Sequence, residues 1–258
     1  MAAPTADNEP RHLYKYASLA GERLKYAERT ILHHELFFAA RTAFNDPFDC
    51  RPRLSLDGTR EQIRAYATKT VAKEPGLTAN QRKEIVERVV SDRQIREANV
   101  AQNIDRRFDV DIGLCCMSAC PDDILMWGHY AHSHTGVCLE FDRSQLAAAI
   151  GEAHAVHYQS EYPVPRPITH SGDDTFRPTF LTKATPWSYE QEWRLIIWGQ
   201  GVKAFPPECL TAVIFGARMT TSTQATLAQW AQARVPSVAV KRAHLATHHF
   251  GVEIQSEG

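Results

Sequence analysis

Runs of apolar and β-branched residues, each closed by turn residues, recur along the chain and predict most of its strands. A short aromatic stretch at 13–16 and an apolar run at 36–39 are typical of strands. Similar runs predict strands at 113–117, 136–141, 193–198, 211–215, 237–241 and 251–254. Apolar residues at helical spacing predict one helix that Ser18 caps and another over 221–233.

Residues 57–109 have a different pattern, rich in charge and with helical periodicity. Thr59 with Gln62, and Thr78 with Gln81, have the spacing of capping boxes at helix starts. We therefore expect one α+β domain over 12–258, with a helical insertion at 57–109 and a flexible N-terminus at 1–11. Its sheet is expected to be mostly antiparallel and bent or split. The insertion is either a covering layer for the sheet or a lid or partner surface.

Composition narrows the class of protein. The chain has 258 residues, a formal net charge of −1 and 43% hydrophobic residues, which are ordinary globular values. This balance gives no general attraction to nucleic acid or to an anionic membrane. The first residues lack the apolar core of a signal peptide, and no apolar run reaches membrane-spanning length. We expect a cytoplasmic protein with reduced cysteines. Because no cysteine pair has zinc-knuckle spacing and no HExxH-type helix accompanies His129, His132 and His134, we expect no metal site.

The densest cluster of charge within a predicted strand is the stretch 189–196, with sequence YEQEWRLI. Alternate residues of a strand share a face, so Glu190, Glu192 and Arg194 are expected on one side. One interpretation is a solvated face on which these charges form pairs with neighbouring strands. The other is a carboxylate in a cleft, held beside a sugar hydroxyl to stabilise a developing positive charge.

A second group of candidate residues follows the strand that is expected to end at Ser118. A short helix then carries Trp127, His129 and Tyr130 before the next strand begins at residue 136. A serine at a strand end often caps the following turn, and a histidine often bonds to backbone, so both also have structural interpretations.

Two further stretches combine polar and aromatic residues. In the first, Tyr14, Lys15 and Tyr16 have side chains suited to clasping an adenine or a phosphate. The second is the turn 45–49, in which Asn45 and the aspartates could position a substrate or cation or could form an Asx-turn pinned by proline.

Four stretches in this order, LYKY, FNDPFDC, MWGHYA followed by GVCLEFD, and YEQEWRL, resemble an uncharacterised bacterial family, domain of unknown function 2971. The resemblance runs from Leu13 to about Gly216, and the family implies no established reaction. The chain is more distantly similar to ADP-ribosyltransferases, which have a split sheet and a late strand with a catalytic Glu in an E-x-E motif.

That second similarity implies a function. Glu192 would be the catalytic carboxylate, and Glu190 would assist at the acceptor. NAD would bind as substrate at a common pocket, and we expect eight side chains to line it with Glu192: Tyr14, Lys15, Tyr16, Asn45, Ser118, Trp127, His129 and Tyr130. Lys15 stands where that family has Arg or His, and it lacks the planar fork of an arginine.

Two functions from different classes follow from these patterns. The first is an enzyme that transfers ADP-ribose from NAD to a protein or nucleic acid, as a toxin or in phage defence. The alternative is a non-catalytic module that binds a nucleotide or a protein partner. A common cleft lined by Glu192 and Tyr16 favours the enzyme, whereas an E-x-E strand that faces open solvent favours the module.

Overall fold

The computed structural model describes residues 9–170 and 172–256, apart from the side chains at 101 and 103–105. The part of the predicted flexible N-terminus up to residue 8 lies outside the described residues. The chain divides into two compact units. The first holds residues up to 39, 113–158 and those from 185 onward, and the second holds 40–112 and 159–184.

Strands and helices alternate irregularly along the chain. The strands are β1 His12–Ala17, β2 Glu35–Phe38, β3 Ile112–Ser118, β4 Val137–Asp142, β5 Ala153–Ala155, β6 His157–Gln159, β7 Thr182–Ala184, β8 Glu192–Trp198, β9 Gly201–Ala204, β10 Leu210–Phe215, β11 Ala239–Leu245 and β12 Val252–Ser256. The helices are α1 Arg23–Leu32, α2 Arg60–Val71, α3 Ala79–Ser91, α4 Arg93–Asp111, α5 Ile124–His129, α6 Arg143–Ala149, α7 Gly172–Phe180 and α8 Thr221–Ala233. None of the described helices is both long and apolar enough to cross a bilayer.

The first unit is built on an eight-stranded sheet with the order β12-β11-β10-β4-β1-β3-β8-β5. β1 pairs antiparallel with both β3 and β4, and β4 pairs antiparallel with β10. β10 and β11 are parallel, and the chain between them forms α8. The prediction of a mixed fold with a large, mostly antiparallel sheet is therefore confirmed.

The two faces of this sheet differ in chemistry. One face carries the main core, where Leu13, Leu139 and Phe141 are fully or almost fully buried. The opposite face has a smaller apolar cluster around Trp127 and Cys138, with Tyr14 and Tyr16 packed against it. Because side chains alternate along β1, Leu13 and Tyr14 belong to different faces. We call the side with Tyr14 the polar face, since it also carries the charged groups described below.

The second unit contains α2, α3, α4 and α7. Both predicted capping boxes are present, since the side chains of Thr59 and Thr78 each accept a hydrogen bond from the backbone N–H three residues later. The helices share a core of their own that includes Ile63, Val86 and Val89. Three helices therefore occupy the stretch predicted as a helical insertion, while the division into one domain with an insertion stays a prediction.

Two local predictions have clear outcomes. The prediction that Ser18 caps a helix is wrong, because α1 begins at Arg23 and the Ser18 hydroxyl instead accepts from the backbone N–H of Ala20. The Asx-turn interpretation of 45–49 is confirmed, because the Asp46 carboxylate accepts from the backbone N–H of Phe48 at 2.9 Å.

Glycine is required where two backbones approach closely at the start of β4. A Cβ on Gly136 would lie 2.8 Å from the carbonyl oxygen of Ala131 and would also meet that of Ala17. We expect Gly136→Ala to lower the free energy of unfolding by roughly 1–3 kcal/mol, because backbone must shift to make room. Denaturant unfolding followed by circular dichroism measures this loss.

The matched control is Gly128→Ala in α5, where a Cβ would meet nothing within 4 Å. This variant should be neutral or gain up to about 1 kcal/mol, because alanine favours the helix over glycine. Equal unfolding free energies for the two variants would contradict the close approach at Gly136.

Candidate functional site

A buried ion pair lies at the start of strand β8. Arg194 Nε donates to Glu192 Oε1 at 2.7 Å, and Arg194 Nη2 donates to Glu192 Oε2 at 3.0 Å. Glu192 is 5% exposed and Arg194 is fully buried. Because the two residues are two positions apart on a strand, they lie on the same face, as predicted. Such a bidentate pair holds the carboxylate in one orientation.

Glu190 lies close by but not on the strand. It ends a 3-10 helix at Thr185–Glu190, and Gln191 has a positive φ of 42° before β8 begins. The prediction that Glu190 extends the strand face is therefore wrong, because the chain turns at Gln191. The Glu190 carboxylate is 3% exposed, and its Oε1 accepts from the Tyr130 hydroxyl at 2.5 Å.

The segment that carries both carboxylates is anchored by neighbouring backbone and hydroxyl groups. The Ser118 hydroxyl donates to the carbonyl of Glu190 at 2.7 Å and accepts from the backbone N–H of Cys120 at 3.0 Å. On the other side, the backbone N–H of Glu192 donates to the Tyr158 hydroxyl at 2.8 Å. Ser118 therefore caps a turn, its structural interpretation, and at the same time fixes the position of Glu190.

Cys116 and Lys15 both interact electrostatically with Glu192, although Cys116 lies on the polar face and Lys15 alternates with Tyr14 and shares the face of Leu13. Burial raises the pKa of the Cys116 thiol well above its usual range, and the charge of Glu192 and its hydrogen bond with this thiol raise it further. The thiol therefore keeps its proton and is not a nucleophile. Burial acts to lower the pKa of Lys15, but Cys115, Cys116 and Glu192 outweigh it and hold the pKa above its ordinary value. The ammonium donates to the carbonyl of Cys116 at 3.2 Å.

Aromatic side chains from α5 lie beside this cluster. His129 Nδ1 is 3.1 Å from the Tyr189 hydroxyl, and the next residue, Tyr130, is bonded to Glu190. Trp127 instead packs edge-on against Tyr16, with ring centroids 5.2 Å apart. The Tyr16 hydroxyl donates to the carbonyl of Cys120 at 2.8 Å. His129 thus contacts Tyr189 and the ring of Tyr130, while Tyr16 and Trp127 are engaged in packing.

The remaining predicted residues take other positions. Tyr14 is directly opposite Ser118 on one side and Glu140 on the other, so it lies on the polar face. Asn45 belongs to the second unit, next to the Asx-turn of Asp46. Lys15, Ser118, His129, Tyr130 and both carboxylates belong to the first unit, and the convergence of the predicted residues on one pocket stays a prediction for these residues and for Asn45.

Several residues of the cluster were not singled out as site residues from the sequence. The sequence could have indicated Arg194, since a cation two positions after Glu192 on a strand must lie on the same face as Glu192. It could also have indicated Cys116, which lies two positions before Ser118 on β3. No sequence pattern indicates Tyr158 or Tyr189, because their contacts join segments that are far apart in the chain or separated by a turn.

Comparisons with known proteins give one family match. Residues 126–195 match the model of a family described as a protein of unknown function, DUF2971. This range begins at the MWGHYA motif and ends at the last residue of YEQEWRL, so it includes most of α5, all of β4 and the start of β8. A comparison with curated proteins and another with solved structures each found no match.

Removing one partner of the buried ion pair should destabilise the protein strongly. Replacing Arg194 by Met removes the guanidinium but leaves Glu192 buried, so we expect the unfolding free energy to fall by roughly 3–5 kcal/mol. The double variant Glu192→Gln with Arg194→Met should recover much of this loss, because it buries no uncompensated charge. Denaturant unfolding of both variants is the measurement.

Lys25→Met is the control, since Lys25 pairs with Glu22 while 69% of its side chain is exposed. It should leave stability almost unchanged, as exposed pairs contribute little. A wild-type unfolding curve for Arg194→Met would show that the pair contributes no stability.

Proposed function

We propose that this protein is an ADP-ribosyltransferase-like enzyme that cleaves NAD and transfers ADP-ribose to a protein or nucleic acid in the cytoplasm. One observation carries the proposal: two buried carboxylates, Glu192 and Glu190, are each held in place by a different partner at the start of β8. The bent or split sheet typical of such enzymes and a role in toxicity or phage defence are parts of the same proposal.

The proposed reaction exchanges one bond at the ribose for another. The bond between ribose and nicotinamide breaks, and its electron pair leaves with nicotinamide. The sugar then carries positive charge in an oxocarbenium-like transition state. A nucleophile of the acceptor bonds to the same carbon and loses its proton. A fixed negative charge near the sugar lowers the barrier, because it is more favourable to the transition state than to the neutral ribose.

Glu192 is suited to provide that charge. Arg194 donates to both of its carboxylate oxygens, at 2.7 and 3.0 Å, and the Cys116 thiol is hydrogen-bonded to the same carboxylate. In the proposed mechanism Glu192 accepts a hydrogen bond from a ribose hydroxyl, and Arg194 is a positioning residue that fixes the carboxylate. Since Glu192 is 5% exposed, substrate must displace the groups that cover it.

Glu190 is suited to activate the nucleophile of the molecule that accepts ADP-ribose. Its carboxylate is bonded to Tyr130, so it is fixed independently of Glu192. We assign it the role of accepting the proton that the acceptor nucleophile loses. Tyr130 would be its positioning residue, and the anchoring by Ser118 keeps the two carboxylates in a constant relation.

Lys15 has a different role from the one that the resemblance implies. Its ammonium is bonded to the carbonyl of Cys116 and lies near Glu192. In this arrangement it balances carboxylate charge and does not supply a phosphate contact. The diphosphate of NAD would therefore be bound by other groups.

The alternative, a non-catalytic nucleotide- or protein-binding module, is favoured by one feature. Both oxygens of Glu192 are bonded to Arg194, which is also how a purely structural ion pair is built. The two functions differ in whether nicotinamide is released, so a single assay separates them.

The test measures nicotinamide release from NAD in the presence of cell lysate, together with NAD binding by calorimetry. We expect Glu192→Gln to lower the rate by roughly 10²–10³-fold, because it removes the stabilising charge but keeps the size of the side chain. NAD affinity should stay near the wild-type value, since the charge acts on the transition state.

Glu253→Gln is the control, because Glu253 is exposed on β12 and the substitution is chemically identical. It should turn over NAD like the wild type. Binding of NAD by the wild type without nicotinamide release would support the binding module. Equal turnover by Glu192→Gln and wild type would remove Glu192 from the mechanism.

A further inference from the structure

A second polar group lies on the polar face, two strands away from the carboxylates. Tyr14 of β1 stands between Ser118 of β3 and Glu140 of β4, directly opposite each. Residues directly opposite on neighbouring strands share a face. Cys116 is two positions from Ser118 on β3 and is hydrogen-bonded to Glu192. The polar face is therefore continuous from Glu192 through Tyr14 to Glu140.

Glu140 is a buried carboxylate outside the site described above. It is 5% exposed, and its Oε2 accepts from the ammonium of Lys241 on β11 at 2.6 Å. Its Oε1 accepts from the Thr211 hydroxyl at 2.8 Å. The side chain of Lys241 is 26% exposed. The carboxylate is thus fixed and charge-balanced by a cation that reaches the surface.

Tyr14 adds a hydrogen-bond donor beside this pair. Among the residues that the structure describes, its hydroxyl has no hydrogen-bond partner. Burial, followed by the charge of Glu140, raises the pKa of Tyr14 to about 12. The phenol therefore keeps its proton at neutral pH and can donate it to a ligand oxygen.

We propose that Tyr14, Glu140 and Lys241 form a subsite that binds the vicinal hydroxyls of a nucleoside ribose. The hydroxyls of a diol both donate and accept hydrogen bonds. They can therefore donate to the Glu140 carboxylate and accept from the Lys241 ammonium and the Tyr14 phenol. An isolated anion would be repelled by Glu140, and an apolar group would leave the Tyr14 hydroxyl buried without a partner. The subsite deepens the proposed function, on which it rests, by assigning a ribose of the substrate to residues beyond the E-x-E segment.

The distance between the two groups suits one extended ligand. Neighbouring strands are roughly 4.8 Å apart, so β8, which carries Glu192, and β1, which carries Tyr14, are separated by about 10 Å with β3 between them. A dinucleotide carries two riboses joined by a diphosphate. Glu192 would act on the ribose that reacts, and the subsite at Tyr14 would hold the other ribose.

The test compares adenosine with 2′,3′-dideoxyadenosine, which lacks the diol, by calorimetric binding to the full chain. The wild type should bind adenosine at least about tenfold more tightly. Tyr14→Phe removes only the unpartnered hydroxyl, so the fold should be retained. It should weaken adenosine binding about three- to tenfold, with little change for the dideoxy ligand. It should also raise the KM for NAD and leave kcat unchanged.

Tyr26→Phe is the matched control, since Tyr26 is 59% exposed on α1 and packs on Phe37. It should bind both ligands like the wild type. The double variant Glu140→Gln with Lys241→Met removes both charges together and should abolish the preference for adenosine, with thermal unfolding as the check on its fold.

The outcomes separate this inference from the proposed function. A preference for adenosine that depends on Tyr14, in a protein that releases no nicotinamide, would support the subsite and overturn the transferase. Nicotinamide release with identical KM values for wild type and Tyr14→Phe would overturn the subsite and support the transferase. Equal or absent binding of the two nucleosides by the wild type would overturn the subsite.

Discussion

The structure of the first unit depends on a buried ion pair, in which the negative charge of Glu192 is compensated by the positive charge of Arg194. Glu192 and Arg194 are enclosed at the start of β8, and burying either alone would cost several kcal/mol. The pair is possible only if both side chains leave β8 on the same face and the strand is fixed against its neighbours. The Tyr158 hydroxyl accepts from the backbone N–H of Glu192, and the backbone N–H of Ala119, just after β3, donates to the carbonyl of Gln191. The position of Glu190 and its bond with Tyr130 follow, because the turn at Gln191 is anchored on both sides.

The sheet can hold these buried charges because its two faces differ in chemistry. One face is apolar and supplies most of the buried hydrocarbon of the first unit. The other carries buried charged groups in satisfied contacts, from Arg194 at one side to Lys241 near the other. Polar groups buried this way do not add much net stability, since desolvation offsets most of their attraction. The concentration of buried carboxylates on this face is what makes it the candidate for chemistry.

Much of the secondary structure could be predicted because its signals are local. The capping boxes at Thr59 and Thr78 and the helix at 221–233 depend on neighbours within four residues. The errors at Ser18 and Glu190 arose where the chain changes direction, since neither change of direction was predicted from the sequence. The bond between Tyr130 and Glu190 joins residues 60 positions apart, and Tyr158 reaches Glu192 across 34 positions. Contacts of that range are set by tertiary packing, which a single sequence does not display.

The central place of β1 in the sheet has a consequence for synthesis on the ribosome. Lys15 and its partner Cys116 are 101 positions apart, and the strands on both sides of β1 follow it in the chain. At typical elongation rates, β1 must wait on the order of ten seconds before β3 and β4 emerge. During that interval its aromatic side chains and both of its hydrogen-bonding edges are exposed. Both edges of β1 can therefore be paired only after residues up to 142 have left the ribosome.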